Sequence, residues 1–230
     1  MPSLFPTTRR SVVQALGSED AGERTRAFDT LVAIYWKPLY KLARLSLHRS
    51  PEDAEDLTQA FFTRVYERES LGSFDPHKAA FRTYLRMLFE RYAANESKAA
   101  LRIKRGGGSA ALDYEKAEAE LATLTASASP DEVFYRDWVG SVFALAIARL
   151  RESVSDEQFA IFEAYDLSDD SSISYRDLAV QFDLPETTVT NHLSAARRKF
   201  RQAVLETLRD ATASHDEFRA EARALLGIEQ

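Results

Sequence analysis

Serine-led helix starts recur along this chain while strand signals are scarce, and that pattern leaves an all-α architecture. Ser50 with Asp53, Ser129 with Glu132, Ser155 with Gln158, Ser174 with Asp177 and Ser214 with Glu217 share one spacing. Each puts a hydroxyl where it can accept from the unpaired N–H groups of a first helical turn, and an acid or amide three residues later can reach back. Many medium-length helices are therefore expected. The first covers roughly Thr8 to Leu16, and a longer one Glu23 to Leu47, with Phe28, Leu31, Tyr35, Leu39, Leu42 and Leu45 on its apolar side. Pro38 should kink or interrupt that helix, because it removes a backbone donor. Further helices are expected from Pro51 to Arg68 and from Lys78 to Ile103, the latter with Phe81, Leu85, Leu88 and Tyr92 as its core stripe.

The composition changes after Lys104. Gly106-Gly107-Gly108-Ser109, an acidic Ala-rich middle and Thr125-Ala126-Ser127-Ala128-Ser129 predict a flexible linker, with one short helix near Tyr114 to Leu124. Two small helical domains follow from this: residues 1–104, a linker over 105–130, a second domain over 131–210, and a C-terminal helical extension over 211–230. The second domain should hold helices near Asp131 to Arg151 and Ser155 to Tyr165, and the extension a helix from Ser214 to Leu226 stopped by Gly227.

The segment from Ser174 to Arg201 predicts a helix-turn-helix. Leu178, Ala179 and Phe182 supply the buried side of its first helix, and Pro185 suits the first turn of the second. Val189, Leu193, Ala196 and Phe200 then repeat at helical spacing, leaving Thr187, Thr190, Asn191, Ser194, Arg198 and Arg201 on the opposite side. Short polar side chains early in such a helix can reach base edges, while a later basic cluster can grip phosphates. Asp183 occupies the turn position where Gly is usual, and Glu186 opens the helix with an anion.

Charge limits what such a reader can do alone. The net charge of −6 opposes independent nucleic-acid binding. Its distribution is uneven: 18 Lys/Arg against 13 Asp/Glu up to Arg105 leave 30 − 18 = 12 against 36 − 13 = 23 afterwards. The first part is thus +5 and the remainder −11. That balance suits a DNA binder working inside a larger complex. No cysteine is present, which excludes thiolate metal sites, disulfides and cysteine nucleophiles. No segment has the length of a membrane span or the form of a signal peptide, so a cytoplasmic protein without membrane insertion is expected.

The stretch Asp53-Ala54-Glu55-Asp56-Leu57-Thr58-Gln59-Ala60-Phe61-Phe62 places Leu57, Phe61 and Val65 on one helical face and Glu52, Glu55, Asp56 and Gln59 on the other. DAEDLTQAFF, then FRTYLRMLFERYAANESK from Phe81 to Lys98, then a linker and a helix-turn-helix, resembles the sigma-70 family of transcription initiation factors in its compact extracytoplasmic-function (ECF, group IV) form. The similarity covers roughly Thr8 to Arg209. It implies that Asp53, Glu55, Asp56 and Gln59 dock on a basic coiled coil of core RNA polymerase. It also implies that Ser73, Phe74, Arg82, Asn95 and Lys98, with Arg86 and Arg102 on phosphates, engage the opened minus-ten strand of promoter DNA. Phe81 and Tyr84 match a further family position but fit the core equally well. In the second domain the resemblance puts Thr187, Thr188, Thr190 and Asn191 near bases of the minus-thirty-five element and Arg197, Arg198 and Lys199 toward its backbone.

No chemistry is expected of this chain itself. Gly106 to Gly108 lacks the Gly-Lys-Ser/Thr ending of a phosphate cradle, and His48, His77, His192 and His215 lack zinc spacing, so no catalytic residue, metal or cofactor is expected. Two other readings remain open: a sigma-like mimic that binds an anti-sigma protein without acting on promoters, and a stand-alone helix-turn-helix regulator. An anti-sigma protein or a regulatory kinase is a further expected partner, with Thr58 as one place for a phosphate. The acidic linker or the last helix could also mask the basic faces.

Overall fold

The computed structural model describes residues 12–68, 71, 73–99, 113–122, 129–168 and 172–227. Among the described residues the chain forms ten helices and no strand: α1 (Val12–Ala15), α2 (Ala21–Leu45), α3 (Pro51–Arg68), α4 (Phe81–Ala99), α5 (Tyr114–Ala122), α6 (Pro130–Ser153), α7 (Asp156–Asp166), α8 (Tyr175–Gln181), α9 (Glu186–Ala211) and α10 (His215–Leu226). The fold is all-α. The helices divide into two compact units, Met1–Ser141 with Leu208–Gln230, and Val142–Thr207, so that the boundaries fall inside α6 and α9.

Helix α2 is the spine of the first unit. Asp20 caps it, its side chain accepting from the Gly22 and Glu23 amides at 2.7 and 3.2 Å. The run of buried residues Leu31, Ile34, Tyr35, Leu39, Tyr40 and Leu42 faces α3 and its neighbours. Full burial of one such side chain contributes about 1.5–3 kcal/mol, which explains why α2 survives its proline. Pro38 neither ends nor interrupts the helix; it lies buried inside a continuous run from Ala21 to Leu45. Buried residues on both sides hold the segment helical despite the lost donor. Leu57, Phe61 and Val65 of α3 are buried as their spacing predicts, joined by Ala54, Thr58 and Phe62.

Helix α4 differs from expectation at its start and along its stripe. It begins at Phe81, three residues later than Lys78, because Asp75 closes a turn by accepting from the His77 amide at 3.0 Å. Its buried residues are Phe81, Leu85, Phe89 and Ala93, whereas Leu88 and Tyr92 are half-buried. Repetition at i, i+4, i+8 and i+12 drifts around a 3.6-residue helix, and an aromatic cluster follows that drift. Phe89 meets Phe61 at 5.1 Å and Phe81 meets Tyr35 at 5.8 Å between ring centroids.

The acidic middle of the 105–130 segment is ordered as a docked helix. Glu118 of α5 takes Arg44 Nε at 2.6 Å and the Tyr40 hydroxyl at 2.8 Å, while Glu120 takes Lys37 and Lys41 at 2.5 and 2.7 Å. Lys41 is almost wholly buried and also pairs with Asp137 of α6 at 2.9 Å. Tyr114 packs edge-on against Trp36 and Tyr40 at 5.3 and 4.8 Å. In α10, Ser214 caps the start and Gly227 stops the helix at φ 60°, as the sequence predicts.

The second unit has two adjoining cores. Leu150, Phe159, Phe162 and Ala196 form one, with Phe200 against it. Ile161, Leu178, Val189 and Leu193 form the other. Ser174 and Asp177 make the reciprocal capping box of α8, and Asp183 turns the chain toward α9 at φ 52°.

Candidate functional site

Three surfaces carry the residue types that could contact partners, and each is set by the helix beneath it. On α3 the apolar stripe turns inward, so Glu52, Asp53 and Asp56 emerge as exposed carboxylates. Glu55 and Gln59 are half-buried on the flank of that ridge, bonded to each other at 3.0 Å. The Tyr114 hydroxyl of α5 lies beside both, and burial pushes it up to about 12. The ridge is therefore a preformed negative surface with one edge next to α5. Thr58 is fully buried within α3 and donates its hydroxyl to the Ala54 carbonyl at 2.7 Å, which removes it as a place for a phosphate.

The second surface belongs to α4 and the turn before it. Ser73 and Tyr84 share a hydrogen bond of 2.8 Å, and Phe74 packs edge-on between Phe81 and Tyr84 at 5.4 and 5.1 Å. This brings Ser73 and Phe74 together with the start of α4. Asn95 is exposed further along the helix; Arg102 and the side chain of Lys98 lie outside the described residues. Arg82 and Arg86, one turn apart, have partners already. Arg82 pairs with Glu221 of α10, and its guanidinium lies over Tyr135 and Trp138 at 5.1 and 5.3 Å. Arg86 pairs with Glu90 at 3.0 Å and with Asp131 at 2.5 Å, and sits over Phe134 at 5.9 Å. Burial opposes its charge, yet Asp131 and Glu90 hold it more firmly protonated than usual.

Glu217 is the residue that sequence reasoning missed. One carboxylate oxygen accepts from the Phe81 amide at 2.7 Å, satisfying a first-turn donor of α4, and the other accepts from the Ala213 amide at 3.0 Å. Burial raises its pKa, against the pull of those two amides and of Arg82. The sequence marks Glu217 as a local helix cap, and nothing in the pattern connects it to α4.

The third surface is the solvent side of α9 in the second unit. Thr187, Thr190, Asn191 and Arg198 are exposed, and Thr188 is half-buried in the first turn. Thr190 donates its hydroxyl back to the Glu186 carbonyl at 2.9 Å. Arg197 is engaged by Asp166, through contacts of 2.9–3.1 Å, and by the Tyr175 hydroxyl at 3.1 Å. The Asp166 carboxylate raises its pKa further. Lys199 reaches the Ser153 carbonyl. Both cations thus fasten helices of their own unit together while remaining exposed, as Arg198 is.

The chain from residue 31 to 102, which begins in α2 and carries the α3 ridge and all of α4, matches the family model for sigma-70 region 2. That span is similar to sigma-70 region 2. No curated protein is similar enough in sequence to stand as a relative. Sigma-70 family factors are transcription initiation factors that bind core RNA polymerase and promoter DNA and perform no catalysis. Among the described residues no cluster of acids or histidines is arranged to hold a metal, and no helix is long and apolar enough to cross a membrane. Helix α10 and the second unit lie outside the matched span.

Proposed function

We propose that this protein is a cytoplasmic sigma factor of the extracytoplasmic-function group, which carries core RNA polymerase to specific promoters and helps open the minus-ten region. The match of residues 31–102 to sigma-70 region 2, over the two helices that carry the acidic ridge and the basic α4 face, is the observation that carries this reading. Asp53, Glu55, Asp56 and Gln59 meet the polymerase. Their ridge needs a positive partner, since exposed like charges on one helix face repel one another. Ser73, Phe74, Arg82, Arg86, Asn95, Lys98 and Arg102 take the separated minus-ten strand; aromatic and guanidinium groups suit unpaired bases and phosphates. The second unit reads the minus-thirty-five duplex with Thr187, Thr188, Thr190 and Asn191, and Arg198 supports them on phosphate. Arg197 and Lys199 act through the packing of α9.

The occupied state of Arg82 and Arg86 favours one competing reading, a sigma-like mimic that meets only an anti-sigma protein. Reconstitution decides between them. The purified chain is mixed with core polymerase, the complex is recovered, and the DNA it selects is sequenced. A sigma factor returns one enriched promoter pattern and supports transcription from it; a mimic fails to hold the polymerase.

A further inference from the structure

We propose that α10 is a built-in competitor for nucleic acid, closing the strand-binding face of α4 until it is displaced. The inference rests on the assignment of α4 as the helix that grips the opened strand. Two anion-seeking features lie within the first turn of α4: the unpaired amide of Phe81 and the guanidinium of Arg82. Both are filled by carboxylates from one helix. Glu217 accepts from the Phe81 amide at 2.7 Å, and Glu221, four residues later on the same face of α10, pairs with Arg82. Phe218 and Ala222 are buried alongside them, and Arg209 lies 4.6 Å over the Phe218 ring. The inward face of α10 therefore combines an apolar anchor with two negative charges placed where a phosphate backbone would have to go.

The aromatic side of Arg82 makes the competition direct. Tyr135 and Trp138 cover one face of its guanidinium, so the group is held in position and its hydrogen-bonding edge is what an anion can approach. Glu221 holds that edge, and a phosphate needs the same donors. Arg86 is restrained in the same way by Asp131. Helix α10 has 12 residues, near the length at which an isolated helix is marginal, so its order depends on docking and it can be released. A clasp closed nine-tenths of the time lowers apparent affinity for a strand by about tenfold.

The test uses the full chain and a fluorescent single-stranded oligonucleotide. Glu221→Gln keeps the shape of the side chain and removes its charge, and Glu217→Gln with Glu221→Gln removes both. Asp216→Asn, on the exposed side of α10, removes one charge outside the clasp and serves as control. Far-ultraviolet circular dichroism confirms that each variant is folded. The expected result is a gain in affinity of several-fold to about tenfold for the two clasp variants, with a steeper salt dependence, and no change for Asp216→Asn. Adding Arg82→Ala to Glu221→Gln should abolish the gain. Equal affinity and equal salt slope in wild type and both folded clasp variants would overturn the proposal. Core polymerase capture, measured in parallel, separates this from the functional assignment: if wild type and variants all fail to hold the polymerase, the sigma reading fails, while the oligonucleotide result still decides the clasp.

Discussion

Asp183 holds the turn between α8 and α9 at φ 52°, in the left-handed region that costs an L-residue about 1–2 kcal/mol unless its side chain is short and polar. Asp tolerates that geometry better than a β-branched residue. Replacing Asp183 with Val should destabilise the chain by about 1–2 kcal/mol in urea unfolding, whereas Asp183→Gly should be neutral or stabilising. An equal loss in both variants would show that an interaction of the carboxylate, and not the backbone, sets the cost. The position was legible because the pattern around it demanded a turn residue, and the Ser174 and Asp177 cap was legible because both partners lie within one turn. His48, at φ 51°, carries no comparable signal. The hydrogen bond between Glu217 and Phe81 spans 136 positions, so no local pattern could announce it. Local chemistry is written in spacing, and long-range pairing is decided by which surfaces remain unfilled once the helices pack.

At the scale of the element, α5 shows how a segment with linker composition becomes a structural part. Its acidic residues meet four groups of α2 in a row, Lys37, Tyr40, Lys41 and Arg44. Lys41 is the critical one, because it is 1% exposed and serves both Glu120 and Asp137. Lys41→Ala leaves Asp137 buried without its cation and should cost about 3–5 kcal/mol, a loss that Asp137→Ala in the same chain largely restores. A double-mutant cycle in urea measures this, and additive losses would contradict the coupling. Acid should undo the same docking. Arg44, with help from the Tyr40 hydroxyl, holds the Glu118 carboxyl below its usual range; Glu120 is pushed up by burial but pulled further down by Lys37 and Lys41. For carboxylates lowered in the folded state, the stabilisation is complete above their unfolded value of 4.5 and is lost as pH falls through the lowered ones. Trp36, which packs on Tyr114, should report the release as a fluorescence change as pH falls below about 4.5. Glu217 has the opposite sign: burial raises its pKa, so its own protonation does not add to this acid loss. The α3 stripe was legible as a periodic pattern, whereas the docking of α5 was not, since a helix fastened by its polar face has the composition of a solvated one.

For the whole molecule, charge decides what the protein can do without a partner. After Arg105 there are 12 Lys/Arg against 23 Asp/Glu, and two of the basic residues near the α9 surface, Arg197 and Lys199, are committed to Asp166 and the Ser153 carbonyl. In the first unit Arg82 and Arg86 are neutralised by Glu221, Asp131 and Glu90. Nonspecific affinity for DNA comes from cations that displace counterions, and every cation withheld from a phosphate makes the salt slope shallower by about one. The free chain should therefore show no sequence-specific gel shift on duplex DNA at about 0.15 M salt, and a shallow salt dependence below it. Addition of core polymerase should produce the specific complex, because the ridge on α3 then has its positive partner and the duplex is held at short range by a second attachment. Specific retardation of a promoter fragment by the free protein would instead support a stand-alone regulator. The two outcomes differ in one lane of one gel, and the difference follows from the pairing of Lys37, Lys41, Arg44, Arg82 and Arg86 with the protein's own carboxylates.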